Sequence, residues 1–318
     1  MTGEFQFVFI CDNNYVMPTT IAISSLSNCM SATSDCVVNV ICDHVAEENK
    51  MVLASLEREC FSVNLIEADS DRYKGLEKKY SRVSVSSLLK FSIPEYLPDV
   101  KRVLYMDGDV LILKDLSTMF STDLDGYYAA VISDGPKDFV AGGKKHAYYG
   151  EKTYFNSGVM LLNLEQMRAD GITERLIEFR LNEYNYFMDQ DAFNQVLKDK
   201  VVHLGVEYDF LLHLISYQNK LFSLEQLIDF YGLRRYSSID ELFKEIRILH
   251  YTFGKPWKYF DIPFNEVWMN VYNNSAYKDK KLSRRSILTE IYNTKSHRIG
   301  RKLSSIFRSV FFFIKFDR

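Results

Sequence analysis

The sequence predicts an α/β protein with a mostly parallel central sheet flanked by helices, and three observations carry that prediction. Strand-like and helix-like stretches alternate along the first 110 residues, the pattern of βα units joined by right-handed crossovers. Several of the strands are continuous apolar runs, as strands buried on both faces are. One such run, Arg102 to Met106, opens into Asp107-Gly-Asp109, and ligands of open α/β sheets sit at the carboxyl ends of strands.

Taken in order, Phe5 to Cys11 is the first strand, followed by a helix from about Pro18, a residue suited to a first helical turn. Cys36 to Cys42 is the second strand. Ala46 to Glu59 has the 3.6-residue spacing of an amphipathic helix, with Met51, Leu53 and Leu56 expected inward. Phe61 to Ile66 is a third strand, and Val85 to Phe91 is expected to begin a helix before Pro94. Beyond Arg102–Met106, strands are expected at Tyr127–Ser133 and Gly158–Leu164, and helices at about Thr173–Asn182 and Asp189–Lys198. The stretch from about Phe210 to Lys244 reads as mostly helical. No G-x-G-x-x-G follows the first strand and no G-x-x-x-x-G-K-[ST] occurs, which excludes a Rossmann dinucleotide site and a P-loop. The length of 318 residues fits one large α/β body, residues 1–270, with an appendage, residues 271–318.

Asp107 and Asp109 flank a glycine at the exit of a buried strand. Strand residues at i and i+2 share a face, and Gly108 is expected to let the backbone turn so that both carboxylates meet one ion. Hard oxygen ligands of this kind suit Mg²⁺ or Mn²⁺, hence chemistry on phosphates. Asp-Gly-Asp is also an ordinary turn sequence, and the motif alone leaves both readings open.

The 47% apolar and 25% charged fractions are those of a globular protein, not a disordered or fibrous one. The 21 Tyr and 23 Phe are rings of the kind that line sugar-binding surfaces as well as cores. Five cysteines (Cys11, Cys29, Cys36, Cys42, Cys60) fall in the first 60 residues, odd in number and without a C-x-x-C pair, so neither a zinc site nor a disulfide framework is expected. Without a signal-like amino terminus or a run long enough to span a bilayer, the chain is expected in the cytoplasm. Net charge is −3 but unevenly spread: Asn274 to Arg318 carries 12 Lys/Arg against three acids, a net of +9, which leaves the remaining 273 residues at −12.

Five stretches, in order, carry a resemblance to a known family: Phe9-Ile-Cys-Asp-Asn-Asn-Tyr15, Leu104-Tyr-Met-Asp-Gly-Asp109, Phe155-Asn-Ser-Gly-Val159, Asp189-Gln-Asp191 and His250-Tyr-Thr-Phe-Gly-Lys-Pro-Trp257. Together the chain resembles the retaining glycosyltransferases of family 8, including bacterial enzymes that extend lipopolysaccharide or lipooligosaccharide. The resemblance implies the GT-A fold, a nucleotide-sugar-binding α/β architecture. It also implies transfer of a hexose, galactose or glucose, from a UDP-sugar to a saccharide acceptor, with Mn²⁺ (or Mg²⁺) as cofactor. His250 would complete the metal site with Asp107 and Asp109. Cys11, Gly108 and Gly254 would be among the positions that bind the donor. Asp12, Asn14 and Tyr15 would grip uracil and ribose, with Tyr15 stacking on the base, although Asp12 and Asn14 also suit a helix cap. Lys255 would meet the diphosphate and offset charge growing on the leaving UDP. Lys90, Asp134, Asn156, Asp189 and Gln190 resemble the sugar-contacting residues, the two acids and the glutamine being the candidates for catalysis.

The chain departs from the family pattern twice. Lys90 stands where relatives usually place an arginine, keeping the charge but losing the bidentate fork. Lys255 also lies five positions after His250, where relatives usually place the lysine six positions after the histidine. Gln190 is a poor nucleophile, so the resemblance favours same-face attack, in which a donor phosphate oxygen takes the acceptor's proton. A haloacid-dehalogenase-type phosphatase also ends an apolar strand in Asp-x-Asp, but normally on the first strand and with Thr or Val where this chain has Leu111. The same motifs would also suit a sugar-binding scaffold on an inactive GT-A fold, or a self-glycosylating or protein-modifying enzyme.

In the tail, Ile299, Leu303, Ile306, Phe307, Val310 and Phe313 recur at helical spacing among Arg298, Arg301, Lys302, Arg308 and Lys315. A basic amphipathic helix reads as binding an anionic membrane surface, which suits a lipid-linked acceptor and a peripheral place on the inner face of the cytoplasmic membrane. The same helix could instead dock on the body, and no nucleic-acid partner is expected.

Overall fold

The computed structural model describes residues 4–73, 75, 85–135, 153–182, 187–216, 224–252 and 254–289. Three strands open the chain, β1 (Phe5–Asp12), β2 (Cys36–Asp43) and β3 (Phe61–Ala68), with α1 (Val16–Cys29) and α2 (Glu47–Ala54) between them. After a 3₁₀ segment, Val85–Ser92, and the single turn α3 (Ile93–Tyr96), β4 (Arg102–Met106) completes a parallel four-stranded set. The chain then enters β5 (Val110–Ile112), which leaves this sheet. The strands β6 (Ala129–Ser133), β7 (Phe155–Asn163) and β8 (Val201–His203) extend it to seven strands in the order β3-β2-β1-β4-β7-β6-β8. β7 runs antiparallel to both its neighbours and the other four pairings are parallel, so the sheet is mostly parallel.

Helices α4 (Leu164–Ala169), α5 (Ile172–Asn182) and α6 (Met188–Val196) follow β7. The two-residue β9 (Phe210–Leu211) and β10 (Ile248–His250) sandwich α7 (His213–Ser216), α8 (Leu224–Tyr231) and α9 (Ile239–Glu245) in sequence, and α10 (Asn265–Asn273) comes last. β9 and β5 flank β10 in a second, three-stranded sheet.

Successive side chains of a strand face opposite ways, and here both faces are covered. Phe7, Phe9, Val38 and Leu104 pack with α1, while Val8, Ile41, Val103 and Leu162 pack with α5 and α6. That double burial is why the strands read as continuous apolar runs. A third cluster, with Phe210, Leu249, Tyr251 and Trp268 at its centre, surrounds the small sheet.

Four expectations are corrected in detail. The second helix ends at Ala54, and Met51 is 66% exposed while Leu53 is buried; residues two apart lie on opposite sides of a helix. Pro94 sits inside the first turn of α3, where its missing N–H is no loss, and the helix expected before it is 3₁₀. β7 starts at Phe155, three residues before the expected Gly158, so Asn156 and Ser157 are strand residues and not a turn. The stretch read as mostly helical begins with β9, too short to show a period.

Residues 274–289 lie against the body. Tyr277 and Ile287 are buried, and Asp261 accepts from the Ser286 hydroxyl at 2.5 Å and the Ile287 N–H at 2.6 Å. The basic amphipathic stretch Ile299–Phe313 falls outside the described residues. No helix among the described residues is long and apolar enough to cross a membrane.

Candidate active site

The two sheets meet at the turn Asp107-Gly-Asp109. At its start, the Asp107 N–H donates to the Gly158 carbonyl of β7 at 2.8 Å. At its end, the Tyr251 N–H donates to the Asp109 carbonyl at 3.0 Å, and β5 pairs antiparallel with β10 so that Val110 faces His250. This register carries His250 across 141 positions of sequence to the carboxylates. Gly108 does not lie in the left-handed region; its need is space, because a Cβ there would strike the Thr19 hydroxyl of α1. A Cβ on Gly158 would strike the His250 ring and lie 2.7 Å from Asp107 Oδ2.

Asp107, Asp109 and His250 each offer one ligand atom, and all three lie within 4.8 Å of one another. His250 Nε2 is 3.9 Å from Asp107 Oδ2 and 3.3 Å from Asp109 Oδ1. The other oxygen of each aspartate is engaged elsewhere. Asp107 Oδ1 meets Lys90 Nζ at 3.0 Å and accepts from the Tyr105 hydroxyl, and Asp109 Oδ2 pairs with Lys255. Two carboxylate oxygens and one imidazole nitrogen converging on one space are a donor set that fits a small divalent cation, with half of an octahedron left for other oxygens. Burial works against the Asp109 carboxylate, but Lys255 and His250 outweigh it and hold its pKa well below the usual range. Burial likewise opposes the His250 imidazolium, yet Asp209 and Asp109 push its pKa up to about 10. Among the described residues a second group of potential ligands, His44, Asp69 and Asp71, is exposed.

Lys90 joins this cage to a second cluster of polar side chains. It is buried, and its Nζ reaches Asp189 Oδ2 at 2.8 Å as well as Asp107. The two carboxylates hold its pKa well above the ordinary lysine value against the cost of burial. Asp189 Oδ2 also accepts from the Ser157 hydroxyl at 3.0 Å. Asn156 Nδ2 donates to Asp134 Oδ1 at 2.9 Å and to Gln190 Oε1 at 3.1 Å, and Gln190 Oε1 takes the Ser157 N–H at 3.2 Å. The structure therefore brings Lys90, Asp134, Asn156, Asp189 and Gln190 into one network, built from the ends of β6 and β7 and the first turn of α6. A register shift between Val131 and Ile132 in the β6–β7 ladder sets Asn156 opposite Ile132, next to Asp134.

At the end of β1, Asp12 Oδ1 accepts from the N–H groups of Asn14 and Tyr15 at 2.9 and 3.0 Å, closing the turn before α1. Asn14 is exposed, and the half-exposed Tyr15 ring stands edge-on to Trp257 at 6.0 Å. The Cys11 side chain belongs to the hydrophobic core, directly across from Cys42 in the β1–β2 register. Gly254 is buried against Ile262, with no room for a Cβ. At these two positions main-chain atoms alone remain to meet a ligand.

Several neighbours of the site carry no signal in the sequence that would assign them a role. Ser157 and Gly158 lie inside the Phe155–Val159 motif, where Asn156 alone stands out as a ligand-binding side chain. Tyr105, on Asp107, looks like one more apolar strand residue. Asp209, fully buried with Oδ1 3.0 Å from His250 Nδ1, belongs to no motif at all.

A family model for glycosyl transferase family 8 matches residues 6–261. The glycosyltransferase GlyB of Streptococcus pneumoniae serotype 4 is 26% identical over 309 residues, spanning 92% of this chain and 68% of that protein. The lipopolysaccharide glucosyltransferase WaaO of Escherichia coli K12 is 24% identical over 323 residues, spanning 96% and 88%. The solved galactosyltransferase LgtC, in complex with donor and acceptor sugar analogs, matches with a TM-score of 0.65 at 21% identity, covering 86% of this chain and 96% of that one, a likeness of fold. Since the family model runs through every motif from Asp12 to Lys255, this chain belongs to glycosyl transferase family 8 and has the GT-A fold.

Proposed function

We propose that this chain transfers a hexose, galactose or glucose, from a UDP-sugar to a saccharide acceptor with retention of anomeric configuration, and that it needs Mn²⁺ or Mg²⁺. The observation that carries the reading is the three-atom cage of Asp107, Asp109 and His250, with the aromatic pair Tyr15–Trp257 and the buried polar network around Asn156 beside it. When bound, the dication supplies Lewis-acid stabilisation to the diphosphate.

The protein's own groups divide the remaining work. Tyr15 offers a ring face or edge to the base, and Asp12 holds the turn that presents it. Lys255, paired with Asp109, turns to the diphosphate and offsets charge on departing UDP. Asp134, Asn156, Asp189 and Gln190 orient the hexose hydroxyls, with Lys90 linking them to the diphosphate end. The carboxylates near the sugar are already committed, Asp189 to Lys90 and Ser157 and Asp134 to Asn156. That commitment, with an amide at Gln190, supports same-face attack in which a donor phosphate oxygen accepts the proton, in preference to a covalent sugar–enzyme intermediate.

The name of the similar lipopolysaccharide glucosyltransferase WaaO supports a lipopolysaccharide-type or other cell-surface glycan as acceptor. A lipid-linked acceptor would give the basic tail its use: the net +9 of Asn274 to Arg318 suits an anionic leaflet, placing the enzyme peripherally on the inner face of the cytoplasmic membrane. The test is UDP release from a panel of UDP-hexoses with simple glycoside acceptors, with and without Mn²⁺, followed by NMR of the product linkage. Metal-dependent turnover of a UDP-hexose giving an α-linked product is the expected result. A β-linked product, or turnover indifferent to metal, contradicts the reading.

A further inference from the structure

Asp209 is fully buried at the end of a 3₁₀ turn, immediately before β9. Its Oδ1 lies 3.0 Å from His250 Nδ1, the ring nitrogen turned away from Asp107 and Asp109. Its Oδ2 is buried and has no hydrogen-bond partner among the described residues. A buried carboxylate with one oxygen unsatisfied costs stability that an apolar side chain of similar volume would not. Packing alone is therefore a poor account of why an acid stands there.

The same short stretch also grips the histidine's backbone. β9 pairs with β10 so that Leu211 faces His250, and the Leu212 N–H donates to the His250 carbonyl at 2.9 Å. Residues 209–212 thus hold His250 at two levels, main chain through the ladder and ring through the carboxylate. A carboxylate only accepts hydrogen bonds, so it keeps a proton on Nδ1; when a dication displaces the proton on Nε2, the lone pair of that nitrogen faces the space shared with Asp107 and Asp109.

We propose that Asp209 is a positioning residue that orients His250 and fixes its tautomer for divalent-cation binding, so that affinity for the cation depends on a residue that never touches it. The inference rests on the proposed metal dependence of the site. Carboxylate partners of histidine ligands raise ligand basicity and remove the rotational freedom that binding would otherwise have to freeze.

The test is Mn²⁺ titration of the full chain without donor, followed by electron paramagnetic resonance of the free ion, for wild type, Asp209→Leu and Asp209→Asn. Thermal unfolding and metal-free UDP binding are read on the same samples. Asp209→Leu leaves the buried Nδ1–H of His250 unpaired and is expected to lower the unfolding temperature while weakening Mn²⁺ binding by about 10- to 100-fold. Asp209→Asn retains an acceptor for Nδ1–H and is expected to weaken it less, and metal-free UDP binding stays unchanged in both. Should Asp209→Leu fail to fold, the isosteric Asn variant carries the test alone. Variants that bind Mn²⁺ within about twofold of wild type overturn the role of Asp209 and leave the cage intact. A wild type with no Mn²⁺ affinity overturns the metal reading and this inference with it.

Discussion

The two halves of the candidate site are built differently. On the β1 side the groups that would receive a nucleotide are turn residues close together in sequence, exposed or half-exposed, and satisfied by local contacts such as Asp12 on its own turn. On the β6–β7 side the groups that would receive a sugar come from residues up to 99 positions apart and are interlocked by buried hydrogen bonds, as in the Lys90–Asp189 pair. The cluster of Asp107, Asp109 and His250 sits on the seam, where one sheet passes into the other. On the proposed reading, geometry is fixed in advance where bonds are broken and left open where binding is enough. Substitutions in the two halves should therefore fail in different ways.

The largest effect belongs to the seam. Asp109→Ala removes a ligand and strands Lys255, and should lower UDP release by about 10³-fold, corresponding to about 4 kcal/mol of lost charge stabilisation. Steady-state rates with saturating Mn²⁺ check this; a loss under about tenfold would move the seam elsewhere. Next comes the interlocked half. Lys90→Ala leaves the buried Asp189 and the partly exposed Asp107 without their cation and should cost about 3–5 kcal/mol in urea unfolding, whereas Lys90→Arg keeps the charge and most of the stability. If the alanine variant unfolds like wild type, the sugar half is not held as described.

A pH series separates fold from site. The imidazole of His250 has its pKa raised to about 10, above the ordinary value of about 6.5. Without metal its contribution to stability is fully present below about pH 6.5 and is lost as pH rises through about 10. A dication competes with that proton, so Mn²⁺ affinity should move the other way, strengthening from about pH 6 to about pH 8 with proton release. Calorimetry in buffers of different ionisation enthalpy measures both the affinity and the proton; pH-independent binding would remove His250 from the ligand set. The smallest effect lies in the open half. Tyr15→Ala should weaken UDP binding by about tenfold, within the ~1–3 kcal/mol of a base–ring contact, and change stability by less than about 0.5 kcal/mol. An unfolding shift larger than the binding shift would make Tyr15 part of the core.

Sequence legibility follows the same division. The strand leading to Asp107 is legible because burial on both faces writes a continuous apolar run, and the carboxylate pair is legible because its members are two residues apart. His250 is reachable through family resemblance alone, since the β5–β10 register that delivers it leaves no periodic trace. Asp209 is illegible: a lone acid beside a stretch that reads as helical gives no sign that it backs a histidine 41 residues later. Asn156 stands out as a site residue yet falls before the expected strand start at Gly158, because Asn-Ser-Gly is turn chemistry wherever tertiary packing does not override it. Met51 misleads for a simpler reason: it is an apolar residue two positions from the true inward one, Leu53.

The most direct test is calorimetric binding of UDP to wild type and Asp109→Ala, each with and without Mn²⁺. Mn²⁺ is expected to strengthen UDP binding in wild type, and this increment should disappear in the variant, while the weak metal-free binding through the Tyr15 side persists in both. Equal Mn²⁺-induced strengthening in the two proteins would contradict a metal cage at Asp107, Asp109 and His250.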